Sequence, residues 1–186
     1  MTEMAKKNTK RQYRDNLLQR FTKQKRRNVL AEPGPREVVI ILDGLKPNYN
    51  VGKIFRSADA FGIRKIHLIG IEMFDPAPAK GSFRYVPAVF DASFAETYRS
   101  LSEEGYTFVA FTPEGDISLQ EIQLPQKSAF VFGHEEFGFS FELDDYPTLR
   151  RVHIEQVGRI ESLNVSVAAS IAMYEYGCQH PSREKR

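Results

Sequence analysis

The sequence predicts an α/β domain in which a mostly parallel sheet is flanked by helices. Short apolar runs rich in β-branched and aromatic residues recur along the chain, and most are followed by a longer stretch with helical apolar spacing. Strands and helices that alternate in this way build parallel sheets with helices on both faces. The run Val38-Val39-Ile40-Ile41-Leu42 is apolar without interruption, which suits a strand covered on both sides.

Residues 1–35 form a basic arm. Residues 1–36 hold 11 Lys and Arg against 3 Asp and Glu, while residues 37–186 hold 15 against 21, so an overall charge of +2 hides an arm of about +8 on a body of about −6. Tyr13, Leu17 and Phe21 recur every four residues and align on one face of a partly helical segment, with Arg14, Arg20, Lys23, Lys25, Arg26 and Arg27 around the rest. Such a segment either docks by its apolar edge and offers its cations to RNA phosphates or is a flexible, solubilising tail. Pro33-Gly34-Pro35 break any helix and mark the junction with the body, residues 36–178, which a polar tail, 179–186, follows.

Within the body, Val38 to Leu42 is the first strand. Asn50 is placed to cap the next helix, whose inward stripe is Ile54, Ala58 and Phe61 and whose stop is Gly62. Arg64 to Gly70 is the second strand. A loop rich in Pro and Ala leads to a helix over roughly Ser93–Glu104, then to a strand from Tyr106 to Phe111. Ala129 to Phe132 and Arg151 to Ile154 bring the set to at least five strands, and a last helix is expected from Ser162 to about Tyr176.

A chain of 186 residues with 41% apolar and 12% aromatic content closes one good core, whereas two domains would each be marginal. No apolar run reaches the roughly 18 residues that span a bilayer, and the polar start has no apolar stretch ahead of a cleavage site, so a cytoplasmic protein without membrane partners is expected. Cys178, the only cysteine, excludes an internal disulfide and reads as a small packed hydrophobe. His67, His134, His153 and His180 lack ligand spacing, so no metal is expected.

Ligands of open parallel sheets sit beyond the carboxyl ends of the strands. Three segments fall there: Asn50-Val-Gly-Lys-Ile-Phe-Arg56, Gly133-His-Glu-Glu-Phe-Gly138 and Glu161-Ser-Leu-Asn-Val-Ser166. At about 100° per residue, Arg56 points some 200° from Ile54, away from the core stripe.

Extended to Asn50–Gly62, Phe132–Gly138 and Glu161–Ala169, these segments resemble the three motifs of the SpoU (TrmH) branch of the SPOUT RNA methyltransferases, in the same order, within a match over about Val38–Tyr176. That family transfers methyl from S-adenosylmethionine to a ribose 2′-hydroxyl. The resemblance implies that Asn50, Arg56, Glu135, Ser162 and Asn164 form the transfer site. It also implies that mainly backbone groups at Gly133, Ile154 and Leu163, with Thr112 contributing, hold the cofactor. It further implies a deep trefoil knot over roughly residues 110–176, contrary to the usual rule that chains do not thread loops, and a homodimer acting on tRNA or rRNA.

Several residues keep two readings. Glu136 is a solvated neighbour of Glu135, and Glu161 either belongs to the site or starts the last helix. Lys53, where relatives carry alanine, either grips phosphate or faces solvent. Phe83 and Tyr85, flanking Arg84, either stack on RNA or join the core. In the last helix, the apolar stripe Val167, Ile171, Tyr174 and the small residues Ala168, Ala169, Ser170 and Ala172 serve the core or a subunit seam, and the resemblance favours the seam. Ile154-Glu155-Gln156 stands where relatives have Ile-Pro-Met, which bears on cofactor affinity. The leading function is a ribose 2′-O-methyltransferase. Alternatives are a non-catalytic RNA-binding homologue and a nucleotide-dependent oxidoreductase, the latter opposed by Asp43-Gly44-Leu45-Lys46-Pro47 where a G-x-G-x-x-G turn should stand.

Overall fold

The computed structural model describes residues 3–181, with side chains from residue 12 onward; residues 182–186 of the expected tail lie outside the described residues. Seven strands form one sheet: β1 (Arg36–Asp43), β2 (Ile63–Ile69), β3 (Ala88–Asp91), β4 (Thr107–Phe111), β5 (Ile117–Ser118), β6 (Ser128–Phe132) and β7 (Arg150–His153). Their order is β3-β2-β1-β6-β4-β7-β5, and every pairing is parallel. Among the described residues the four α-helices are α1 (Glu3–Asn28), α2 (Tyr49–Phe61), α3 (Phe94–Glu103) and α4 (Val165–Gln179). No helix among the described residues is long and apolar enough to cross a membrane.

Both faces of the sheet are covered, as the unbroken apolar run of β1 requires. Val38, Ile40 and Leu42 face one core with Phe21 of α1, Ile54 and Phe55 of α2 and Met173 and Tyr176 of α4. Val39 and Ile41 face the other, with Phe94 and Leu101 of α3 and Phe108 and Val131 of the sheet. Strand neighbours point to opposite faces, so one continuous hydrophobic segment feeds two cores.

The arm is docked, by the end of its stripe. Phe21 is only 5% exposed and packs against the rings of Phe74, Phe83 and Phe90, whereas Leu17 is half-buried and Tyr13 exposed. At the foot of α1, the Asn28 side chain donates to the carbonyls of Phe83 (2.5 Å) and Val86 (2.7 Å) and accepts from the Ala88 amide (3.1 Å). Removing that amide leaves three backbone groups without their partner, so Asn28→Ala should cost about 2 kcal/mol. Limited trypsin digestion should then cut within α1 faster while the body stays intact; unchanged cleavage kinetics would contradict this anchoring.

Three expectations need correction, and two open readings are resolved in part. Asn50 does not cap α2: the helix starts at Tyr49, Asn48 occupies the cap position, and the Asn50 side chain turns toward another loop. Gly62 does end the helix, in the left-handed conformation at φ 68°. The last helix starts at Val165, not Ser162, because the Asn164 side chain caps it, its Oδ1 accepting from the Ser166 amide. Its buried face is Val165, Ala169, Ala172, Met173 and Tyr176, while Val167 and Tyr174 are exposed and Ile171 is partly buried. The small residues admit α2 of the same chain, with the Ser57 and Ser170 hydroxyls 2.7 Å apart. Cys178 is exposed, not packed. Of the two aromatics in 81–85, Phe83 is core and Tyr85 is exposed. Strands β3 and β5, of four and two residues, carry too short a pattern to be read in advance.

Candidate functional site

Strand register gathers the site. Leu42 of β1 pairs with Phe132 of β6, Phe132 with Phe111 of β4, and Phe111 with Val152 of β7, so four strands end level with one another. From β1 the chain winds outward through β2 and β3, and β6 lies on the other side of β1. The loops after β1 and β6 therefore meet at the topological switch point, the place where open α/β sheets bind ligands. A cavity of about 600 Å³ opens beside that point, at the carboxyl ends of β4, β6 and β7, within the range of small-molecule sites.

Its floor is apolar, from Phe111, Phe132, Val152 and Ala168; its rim is polar, from Thr112, Glu114, Glu135, Glu136, Ser162 and Asn164. Gly133 is needed for close approach: a Cβ there would meet the carbonyl carbon and oxygen of Gly138 at 2.7 Å, across a tight turn in which His134 and Gly138 exchange backbone hydrogen bonds. The His134 ring closes the turn as well, its Nδ1 accepting from the Glu136 and Phe137 amides. On the facing side, the buried Asp43 carboxylate accepts from the amide and hydroxyl of Ser140, fastening the end of β1 to the segment after that turn.

One hydrogen-bonded relay crosses the rim. Asn50 Nδ2 donates to Glu135 Oε1 (2.8 Å), and Asn50 Oδ1 accepts from Asn164 Nδ2 (3.2 Å). Asn164 Oδ1 in turn accepts from the amide and hydroxyl of Ser166 (3.0 and 2.6 Å). Three segments that lie far apart in sequence thus share one chain of side-chain amides and a carboxylate. The Lys46 amide adds a donor to Glu135 Oε2 (3.3 Å), and its ammonium pairs with Glu136 (2.8 Å).

The electrostatics follow. Partial burial alone would push the Glu135 carboxyl up, but hydrogen bonds from Asn50, its own backbone and the Lys46 amide outweigh that and hold it below the usual carboxylate range. The Thr112 hydroxyl likewise lowers the Glu114 carboxyl (2.6 Å). Both stay ionised at neutral pH. A carboxyl depressed in the folded state supports that state above its unfolded pKa, and the support is lost as pH falls through the folded value. A carboxyl NMR titration of Glu135 should therefore show a midpoint below the ordinary value of about 4.3. In Asn50→Ala the midpoint should rise; identical midpoints would contradict the relay.

Of the nine residues singled out in sequence, Glu135, Ser162, Asn164, Thr112, Gly133, Ile154 and Leu163 all line the cavity. Asn50 reaches it through the relay. Arg56 does not line it: the residue sits on the exposed face of α2, as its helical phase requires, and makes no ion pair among the described residues. Glu161 is exposed in the loop ahead of α4 and starts no helix. Lys53 is exposed; Ile154 and Gln156 line the cavity, and Glu155 does not. Sequence reasoning missed Lys46, Ser166, Asp43 and Glu114. Position just after a strand end was the available signal for Lys46 and Glu114; Ser166 lay inside the third motif. No cluster of three or more His, Cys, Asp or Glu side chains able to hold a metal occurs among the described residues.

The profile of the SpoU rRNA Methylase family matches residues 37–174. A protein of Nitrosomonas europaea named 23S rRNA (guanosine-2′-O-)-methyltransferase RlmB is 33% identical over 159 residues, 83% of this chain and 60% of its own. The SpoU methyltransferase AviRb of Streptomyces viridochromogenes, solved with its cofactor AdoMet, superposes with a TM-score of 0.70 at 25% identity, over 81% of this chain and 60% of that one. A TrmH/SpoU tRNA modifying enzyme of A. aeolicus shares the fold with a TM-score of 0.71 at 23% identity, over 85% and 82% of the two chains. The chain thus spans about 60% of the length of the first two relatives.

Proposed function

Because this chain belongs to the SpoU rRNA methylase family, we propose that it transfers a methyl group from S-adenosylmethionine to a ribose 2′-hydroxyl of a structured tRNA or rRNA. The observation that carries this reading is the relay from Glu135 through Asn50 to Asn164 at the mouth of a single cavity. The cavity fits the cofactor in chemistry as well as size: its apolar floor suits adenine, and the carboxylates of Glu114 and Glu135 suit a ligand with a cationic sulfur and an ammonium. Gly133, Ile154 and Leu163 would hold it mainly through their backbone, with Thr112 beside them.

S-adenosylmethionine, when bound, supplies an electrophilic methyl on a good leaving group, so the protein's part is alignment and charge management. Asn50, fixed at both ends of its amide, presents a rigid polar edge to the incoming ribose. Ser162 and Asn164 flank it. Arg56 grips the phosphate beside the target ribose and stabilises the developing 2′-alkoxide. A guanidinium offers five N–H donors and no acceptor, so it is not the base; a phosphate oxygen or water takes the proton. Because Arg56 stands off its own chain's cavity, a homodimer that brings a second subunit's Arg56 to the rim completes the site. The exposed Val167 and Tyr174 of α4, with Val157 and Ile160 exposed in the preceding loop, offer the apolar surface for that seam.

The same reading includes a deep trefoil knot over roughly residues 110–176. In support, Gly115 lies directly against the backbone of β7, and β4 sits between β6 and β7. Two experiments test the function. Calorimetry should give one S-adenosylmethionine per chain; no binding would favour a non-catalytic RNA-binding protein. Arg56→Lys should slow methyl transfer by about tenfold or more across the pH range, since an ammonium cannot reproduce the planar fork. Near-normal rates would remove the fork from the mechanism.

A further inference from the structure

Residues 20, 23 and 27 lie three and four apart, on one face of α1. Arg20, Lys23 and Arg27, with Gln24 between them, face Gly81 and Arg84 across a depression of about 260 Å³ that shares no lining residue with the cavity above. We propose that this depression is a binding site for RNA backbone phosphates, a clamp that holds the substrate away from the point of methyl transfer. The inference rests on RNA being the substrate.

Four cations line the depression and no acid does. None of the four takes part in any ion pair among the described residues. Like charges held together on a rigid wall raise the local potential and call for a polyanion. Rigidity is what separates this wall from an ordinary solvated basic helix. The stacking of Phe21 on Phe83 (5.8 Å) fixes the helix against the segment that bears Arg84. The Asn28 side chain holds the Phe83 carbonyl, one residue from Arg84, so both sides of the depression are pinned to one anchor. Lys25 over the Phe90 ring (3.9 Å) adds to the docking. Across the gap, Gly81 takes φ 98°, and the Arg84 guanidinium folds back toward it and over the Tyr85 ring (4.7 Å), which orients its planar fork.

The chemistry selects phosphodiester. Guanidinium forks bind phosphate oxygens in bidentate fashion. The run from residue 20 to 27 covers about 10 Å at 1.5 Å per residue, the axial reach of about three phosphates at 3.4 Å spacing along one strand. The lining offers no aromatic floor and so does not read nucleobases. The contribution is affinity and orientation, independent of base sequence.

The test is fluorescence anisotropy of an unmodified tRNA transcript and of a short RNA duplex, titrated with full-length protein at several salt concentrations. Arg27→Gln with Arg84→Gln should weaken binding on the order of tenfold and lower the slope of log affinity against log salt by about two, one per charge removed. Arg99→Gln, on α3 over the opposite sheet face, should leave both unchanged. Calorimetry of S-adenosylmethionine should be the same for all variants, which separates lost contact from lost folding. An unchanged slope in the double variant overturns the clamp, as does polyglutamate that binds with the same arginine dependence while RNA does not. The two readings fail separately: methylation with an unchanged slope removes the clamp alone, and a lowered slope without methylation of any RNA removes the methyltransferase alone.

Discussion

Asn50→Ala is expected to lower methyl transfer by about a hundredfold to a thousandfold, the scale of losing one preorganised polar group at a reacting centre. The amide of Asn50 is used at both ends: Nδ2 is committed to Glu135 and Oδ1 to Asn164. Alanine leaves the Glu135 carboxylate with the long Lys46 amide contact and frees Asn164 on its second side. The cap of α4 survives, because Ser166 bonds to the other oxygen-bearing end of the relay, so stability should change little. S-adenosylmethionine affinity should stay within a few-fold, since Asn50 does not line the cavity. Asn50→Asp sharpens the comparison. It keeps the shape but sets a carboxylate 2.8 Å from Glu135, where two like charges cannot both persist, and should be as inactive as alanine at neutral pH. Wild-type rates in either variant would show that the relay is decoration on a surface, not part of the site.

Gly115→Ala should have the largest effect on stability. This glycine has no special dihedral angle; its constraint is space. A Cβ would lie 2.4 Å from the carbonyl carbon of Val152 and 2.5 Å from the amide nitrogen of His153, both backbone atoms of β7. Backbone cannot step aside as a side-chain tip can. The same crossing is held by the Gly115 carbonyl, which accepts from His153 Nδ1 (2.8 Å), and by the two-residue pairing of β5 with β7. Overpacking here should cost on the order of 3 kcal/mol. For a chain of this length that is roughly 6–12 °C in Tm. Glu114 and Thr112 line the cavity next door, so S-adenosylmethionine affinity should fall with it. A melting temperature within a degree of wild type would mean that the 112–118 segment does not press against β7 in solution.

Much of this was legible in the chain because the signals were local. A continuous β-branched run can only be a doubly covered strand, and Val38 to Leu42 is one. Helical phase alone put Arg56 on the outer face of α2. The second and third motifs gave cavity walls because each follows a strand, and parallel strands in register end together, whereas the first motif meets the rim only through Asn50. What stayed hidden was set by distance in sequence. No local pattern shows that Asn50 would spend its amide on Glu135 and Asn164 instead of on its own helix, since the competing partners are 85 and 114 residues away. The start of α4 was misplaced for the same reason: Ser162 and Asn164 are both good caps and both line the cavity, but only Asn164 caps the helix. The docking of α1 depended on Asn28 finding carbonyls in a loop that has no periodicity of its own.

The account turns on where the methyl group goes. Alkali cleaves RNA through the 2′-hydroxyl, and a methyl on that oxygen blocks cleavage. Unmodified tRNA and rRNA incubated with the protein and S-adenosylmethionine tritiated in the methyl group should, after alkaline hydrolysis, carry label in resistant dinucleotides, and Asn50→Ala should leave them unlabelled. Label recovered in mononucleotides, or no transfer by a protein that binds the cofactor, would contradict the account.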